Sequence, residues 1–226
     1  YLLTKKIVAS IDTATDHIQI ATTRIKLRPI YEAIVRAAQR GVKIDIVVTM
    51  GQYEYKSRRK KIKLEECENI YKRECSTSKN FSVLLSRNDF VGSKNVKVRL
   101  KFFNLKTAAY LNKQMHSKYI IIDNNELITG SFNWSYSAEF NHLENIVIMK
   151  GSENTEIISS FTKDFNKLWV LERGSFTGLI KKINKAFHAK EKMNCAFKPM
   201  SLAFHEVDYL LGMGPKYRNR VSAVCK

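Results

Sequence analysis

No stretch of this chain restricts its fold more than the one from His17 to Val48. "HIQIATTRI" alternates and is rich in β-branched residues. "IYEAIVRAAQ" then repeats apolar residues at helical spacing (Ile30, Ile34, Val35, Ala38), Gly41 closes that helix, and "VKIDIVV" reads as a buried strand. Strand, helix and strand joined this closely predict a β-α-β unit, whose two strands pair in parallel beneath the helix. "VKVRLKFF", from Val96 to Phe103, alternates again and predicts a further strand. "SENTEIISSFTKDFNKLWVL" predicts a helix with an apolar stripe of Ile157, Ile158, Phe161, Phe165, Leu168 and Trp169, residues best explained as core. "SFTGLIKKINKAFHAKEK" predicts a second, basic, amphipathic helix acting as a connector. The expected class is α/β, a mixed, largely parallel β-sheet flanked by helices.

The length of 226 residues suits one large domain, or a domain of about 150 to 180 residues with a small appendage. Between residues 51 and 94 the apolar periodicity fades into "KSRRKKIKLEECENIYKRECSTSKN", which reads as a basic insertion. Its run Lys56, Arg58, Arg59, Lys60 and Lys61 is a candidate path for a phosphate backbone, although charge runs are most often solvated faces. Lys and Arg number 39 against 21 Asp and Glu, a formal charge of +18 that favours polyanionic partners, nucleic acid ahead of an anionic membrane surface. No apolar run approaches the roughly 18 to 20 residues of a membrane span, so the chain is expected to be soluble and membrane is not a required partner. It begins at Tyr1, which leaves a preceding signal peptide or anchor open.

The four cysteines, Cys67, Cys75, Cys195 and Cys225, contain no Cys-x-x-Cys pair, so zinc is poorly supported and no metal or cofactor is expected. Their grouping suits two local disulfides, Cys67 to Cys75 and Cys195 to Cys225, and a periplasmic or secreted setting. Four unpaired thiols in a cytoplasmic or membrane-anchored protein are the competing reading.

"MHSKYIIIDNNELITGSFNW", Met115 to Trp134, carries the chemistry. On a strand running from His116 to Asp123, alternation sends His116 and Lys118 to one face and Asp123 to the other. "NNE" predicts a turn, "LIT" a returning strand, and Gly130-Ser131 a tight bend from which Asn133 projects, with Ser135 capping the next helix. An ammonium, an amide, a hydroxyl and an imidazole around one point make a phosphate site that contains a nucleophile or proton carrier. Spacing of His and Lys alone carries no such message: His188-Ala189-Lys190 repeats it without the aspartate or the Gly-Ser-x-Asn turn.

"HSKYIIIDNNELITGSFN" resembles the phospholipase D superfamily signature His-x-Lys-(x)4-Asp-(x)6-Gly-Ser-x-Asn at every defined position, and phrases from "RAAQRGVKIDIVV" to "HLENIVIM" extend the likeness over residues 1 to 172. The short chain looks like the small bacterial Nuc-type endonucleases and the mitochondrial Zucchini-type proteins. The resemblance implies a covalent phosphohistidine on His116, non-bridging oxygens held by Lys118 and Asn133, Ser131 hydrogen-bonded within the site, Glu144 orienting a histidine, a structural Asp123, and no metal. It also implies a second histidine. One chain carries one complete motif, so the family's arrangement is a homodimer with a composite site.

The tail, "VDYLLGMGPKYRNRV", predicts a helix from Ser201 to Leu211, a turn at Gly212-Met213-Gly214 and a second helix opening at Pro215. This resembles a helix-hairpin-helix DNA-binding motif, with Gly212, Gly214, Lys216, Arg218 and Arg220 facing a phosphate backbone; Asn219, where a small residue is usual, departs from the pattern. The expected organisation is a catalytic domain over 1–172, a helical connector over 173–195 and a DNA-binding module over 196–226. The expected activity is metal-independent, non-specific nucleic-acid cleavage, with DNA favoured and RNA possible. The alternatives are a phospholipase acting on an anionic lipid such as cardiolipin and a non-catalytic nucleic-acid binder.

Overall fold

The computed structural model describes residues 2–49, 81, 85–86, 90–104, 115–172, 175–193, 196–211 and 224. Helix α1 (Leu2–Thr13) leads into β1 (His17–Thr22), α2 (Arg28–Gln39) and β2 (Lys43–Thr49), so the β-α-β unit forms as expected. Pro29 sits in the first turn of α2, where a missing N–H costs nothing. At its other end the N–H of Gly41 meets Ala38 O at 3.0 Å and that of Val42 meets Ala37 O at 3.1 Å, a tight closure that needs the φ of +97° Gly41 adopts.

Strands β3 (Val96–Asn104), β4 (Lys118–Ile122), β5 (Glu126–Gly130), β6 (Ile146–Lys150) and β7 (Ala196–Ala203) complete a seven-stranded sheet in the order β6-β5-β4-β1-β2-β3-β7. The sheet is mixed. Parallel pairing joins β1 to β2 and β2 to β3, while β4, β5, β6 and β7 each attach antiparallel. Helices α3 (Tyr136–Asn141), α4 (Thr155–Val170), α5 (Ser175–His188) and α6 (Phe204–Leu211) fill the intervals.

Alternation along the strands divides the core in two. Ile18, Ile20, Ile44, Ile46, Ile120, Ile122 and Ile128 pack with Ile7 and Ile11 of α1 and Ile30 and Ile34 of α2. Ala21, Val47, Tyr119, Ile121 and Leu127 face the other way, against Ile158 and Phe165 of α4. Tyr119 fastens that second layer by donating its hydroxyl to Asp164 Oδ2 at 2.8 Å.

Two expectations need correction. Ile157 is 45% exposed, because it lies at the outer edge of the apolar stripe, about 100° around α4 from buried Ile158. Ser201 to Ala203 do not begin a helix; they end β7, and α6 starts at Phe204. The strand places Met200, Ser201 and Leu202 inside against β3, and its Pro199 is tolerated because β7 is an edge strand among the described residues, with an irregular register opposite Phe102–Asn104. Residues 196–203 thus form the seventh strand of the sheet.

Candidate active site

Strand β4 decides where the motif residues go. Its first residue, Lys118, pairs with Thr22 at the carboxyl end of β1, and His116 precedes the strand rather than forming part of it. The ligand-binding end of a parallel sheet is its carboxyl end, and the imidazole and ammonium arrive there on the antiparallel neighbour. Lys118 Nζ donates to the His116 carbonyl at 2.7 Å and lies 3.1 Å from Nδ1 and 3.4 Å from Nε2 of the same residue.

Lys118 is 9% exposed and His116 is exposed. Lys118 borders a small cavity together with Ile7, Ile120, Ile128 and Phe132. Burial against these groups pulls its ammonium below the ordinary lysine range; Glu144 opposes the change and Arg24 adds to it.

The opposite end of β4 holds Asp123. Five residues of strand separate it from Lys118, roughly 17 Å at strand pitch, so Asp123 takes no part in the same anion site. Its Oδ2 accepts from the backbone N–H and hydroxyl of Thr15, and its Oδ1 from the N–H groups of Asp16 and His17, each at 2.9 Å. Burial would raise this carboxyl's pKa, but the donors from His17, Asp16 and Thr15 outweigh burial and hold it below the usual range. Asp123 thus ties the hairpin to the loop between α1 and β1. With Asp123 and Asn124 at φ of 52° and 51°, the turn has the positive-φ pair that tight hairpins require.

β5 brings the chain back to the site end, where Gly130 has no room for a side chain: a Cβ there would meet Asn145 O and lie 2.9 Å from Ile146 Cα. That close approach lets the Ser131 N–H reach Asn145 O at 3.2 Å and the Asn145 N–H reach Ser131 Oγ at 3.1 Å. The Ser131 hydroxyl donates in turn to Glu144 Oε2. Half-buried Asn133 lies between the buried anchors Phe132 and Trp134, and Ser135 accepts from the Ala138 N–H to cap α3, as expected.

Two nearby residues were missed in the sequence. His142 places Nδ1 3.5 Å from Glu144 Oε1 and Nε2 3.1 Å from Ser137 Oγ, so the histidine that Glu144 meets within this chain is His142. Its spacing of two from Glu144 was the available signal. Arg24 follows β1 at the same carboxyl end, a position that fold class alone marks for ligand contact. The basic run Lys56, Arg58, Arg59, Lys60 and Lys61, the tail residues Gly212, Gly214, Lys216, Arg218 and Arg220, and all four cysteines lie outside the described residues.

An imidazole, an ammonium, a hydroxyl and an amide thus lie at one end of a mixed sheet in an α/β domain. Residues 7–169 match the family described as cardiolipin synthase, PLD-like domain, and the chain belongs to this phospholipase D-like family. Curated relatives include the mitochondrial cardiolipin hydrolase of Mus musculus, 44% identical over 55 residues that make up 24% of each chain. That of Chlamydomonas reinhardtii is 41% identical over 64 residues, 28% of this chain and 26% of the relative. The match thus spans about a quarter of the length of these relatives. Among solved structures, NucT from Helicobacter pylori aligns with a TM-score of 0.49 and 24% identity, covering 72% of this chain and 84% of that one. Nuc from Salmonella typhimurium, a phospholipase D family member, aligns with a TM-score of 0.49 and 21% identity, covering 73% and 85%.

Proposed function

We propose that the chain is a metal-independent phosphodiesterase that cleaves nucleic acid through a phosphohistidine, in a homodimer whose two copies complete one site. The observation that carries this reading is the meeting of His116 and Lys118 with the Gly-Ser-x-Asn bend at one end of the sheet, in a chain of formal charge +18. His116 attacks phosphorus as the ester P–O bond breaks, and the partner's His116 gives a proton to the leaving oxygen. Water then attacks the phosphohistidine, passes its proton to the partner's now neutral imidazole, and the N–P bond breaks. Lys118 and Asn133 hold the non-bridging oxygens as charge builds on them.

Support for a second copy comes from the edge beside Glu144. Leu143, before β6, is fully exposed, and on β6 itself Val147 is 51% and Ile148 36% exposed; the outer side of that strand pairs with nothing among the described residues. A second chain would cover these side chains and bring its histidine to the same end.

The test is cleavage of single- and double-stranded DNA and RNA at low salt, with and without chelator. Activity should survive chelation, fall steeply with salt as counterion release weakens binding, and vanish in His116→Ala. Intact substrates throughout would defeat the reading. The family description and the relatives named cardiolipin hydrolases favour a second one, hydrolysis of cardiolipin at the same site. Cardiolipin liposomes assayed in parallel decide between them.

A further inference from the structure

We propose that Arg24 is a substrate-binding residue of this site, holding a phosphoryl oxygen jointly with Lys118 and Asn133. The proposal rests on the phosphodiesterase reading and adds to it a cation from a separate part of the chain.

Backbone register places Arg24 between the two motif residues. On one side, Thr22 pairs with Lys118 across the β1–β4 ladder, and Arg24 is the next residue of the same parity. On the other, Ile25 forms a parallel bridge with Trp134, and the Lys26 N–H donates to Trp134 O at 2.9 Å. Stepping one residue back along that parallel pair sets Arg24 beside Asn133. The segment from Thr22 to Lys26 thus runs along both halves of the motif, and two fixed backbone contacts hold it there.

The side chain has the character of a group awaiting an anion. Arg24 is half-buried, and its Nε is buried with no hydrogen-bond partner among the described residues. The adjacent Thr23, 5% exposed, likewise leaves its buried Oγ1 without a partner there. A guanidinium is always charged, and burying one of its donors unpaired is costly unless an acceptor arrives. Arg24 also depresses the Lys118 pKa, so the two cations repel each other across the site. A phosphoryl group between them would turn that repulsion into attraction and supply the missing acceptor. The planar fork of arginine suits two phosphoryl oxygens, which lysine at this position could not reproduce.

Isothermal titration with inorganic phosphate, alongside hydrolysis of bis(p-nitrophenyl) phosphate, tests the assignment on wild-type protein, Arg24→Gln and Arg24→Lys. The expected result is at least tenfold weaker phosphate binding in Arg24→Gln, a kcat/KM lower by roughly 10- to 100-fold, and partial recovery in Arg24→Lys. Thermal unfolding reports whether each variant is folded. If Arg24→Gln fails to fold, Arg24→Lys, which keeps the charge but loses the fork, must still bind phosphate more weakly. A folded Arg24→Gln that binds phosphate and turns over substrate like the wild type overturns the assignment. Should the wild type bind phosphate through Arg24 yet hydrolyse no diester, the phosphodiesterase reading fails and the anion site stands.

Discussion

The Lys118 ammonium lies 3.1 Å from His116 Nδ1 and is bonded to the His116 carbonyl at 2.7 Å, so one buried cation fixes both the ring and the backbone of the residue beside it. A charged group kept below its ordinary pKa by burial is a liability to stability. Because the folded-state pKa lies below the unfolded one, that cost is fully present below the folded pKa and is relieved as pH rises through it toward the unfolded value. Lys118→Met should therefore abolish turnover while raising the melting temperature, by about 2–4 °C if the relief is about 1 kcal/mol. A melting temperature below that of the wild type would contradict the expectation.

Asp123 has the opposite sign. Its carboxylate pKa is held down by the Thr15, Asp16 and His17 donors, so its contribution is present above the unfolded pKa and disappears as pH falls through the folded one. Asp123→Ala should cost about 1–3 kcal/mol at neutral pH. The gap between variant and wild type should narrow in acid, measured by urea unfolding across a pH series. Since the residue is remote from Lys118, kcat on folded protein should change little.

Gly130→Ala forces a methyl group against Asn145 O and Ile146 Cα, both backbone atoms that cannot rotate away. Parting β5 from β6 there would break the Ser131–Asn145 pair, and we expect a loss of about 2–4 kcal/mol together with most of the activity. An unchanged melting temperature would show that the bend can relax.

Glu139 offers a test of how the N-terminal helix is held. Its carboxylate accepts from the N–H groups of Leu3 and Thr4 at 3.2 and 3.1 Å and from the Thr4 hydroxyl at 2.6 Å, capping α1 from a distant helix. Glu139→Ala should destabilise by about 1–2 kcal/mol, as loss of a helix cap does, with faster amide exchange in the first turn of α1. Uniform exchange across α1 would argue against a cap.

Much of this was legible in the sequence because it is periodic. The alternation of β1, β2 and β4 and the apolar spacing of α2 reflect burial on two sheet faces, which leaves a direct imprint on residue choice. Ser201 to Ala203 were misread because "SLAFHEVDYLL" is apolar enough for either element, and only pairing with β3 decides between them. The motif exposed His116, Lys118, Ser131 and Asn133 since they lie close in sequence. Arg24 is about ninety residues from them, and no local pattern records a bridge such as Ile25 to Trp134. His142 was hidden differently: its contact with Glu144 depends on how the chain folds between α3 and β6.

The bridge between Ile25 and Trp134 has an evolutionary consequence. Imidazole, ammonium, hydroxyl, amide and carboxylate all come from one contiguous meander, whereas Arg24 belongs to the connector between β1 and α2. The buried Ile25 and Leu27 fix the course of that connector, which leaves the half-buried position 24 as the place where a substitution can retune the anion site. Under the phosphodiesterase reading proposed above, the preference for one diester over another is then set partly from position 24, with the bridge to Trp134 keeping that position beside the motif.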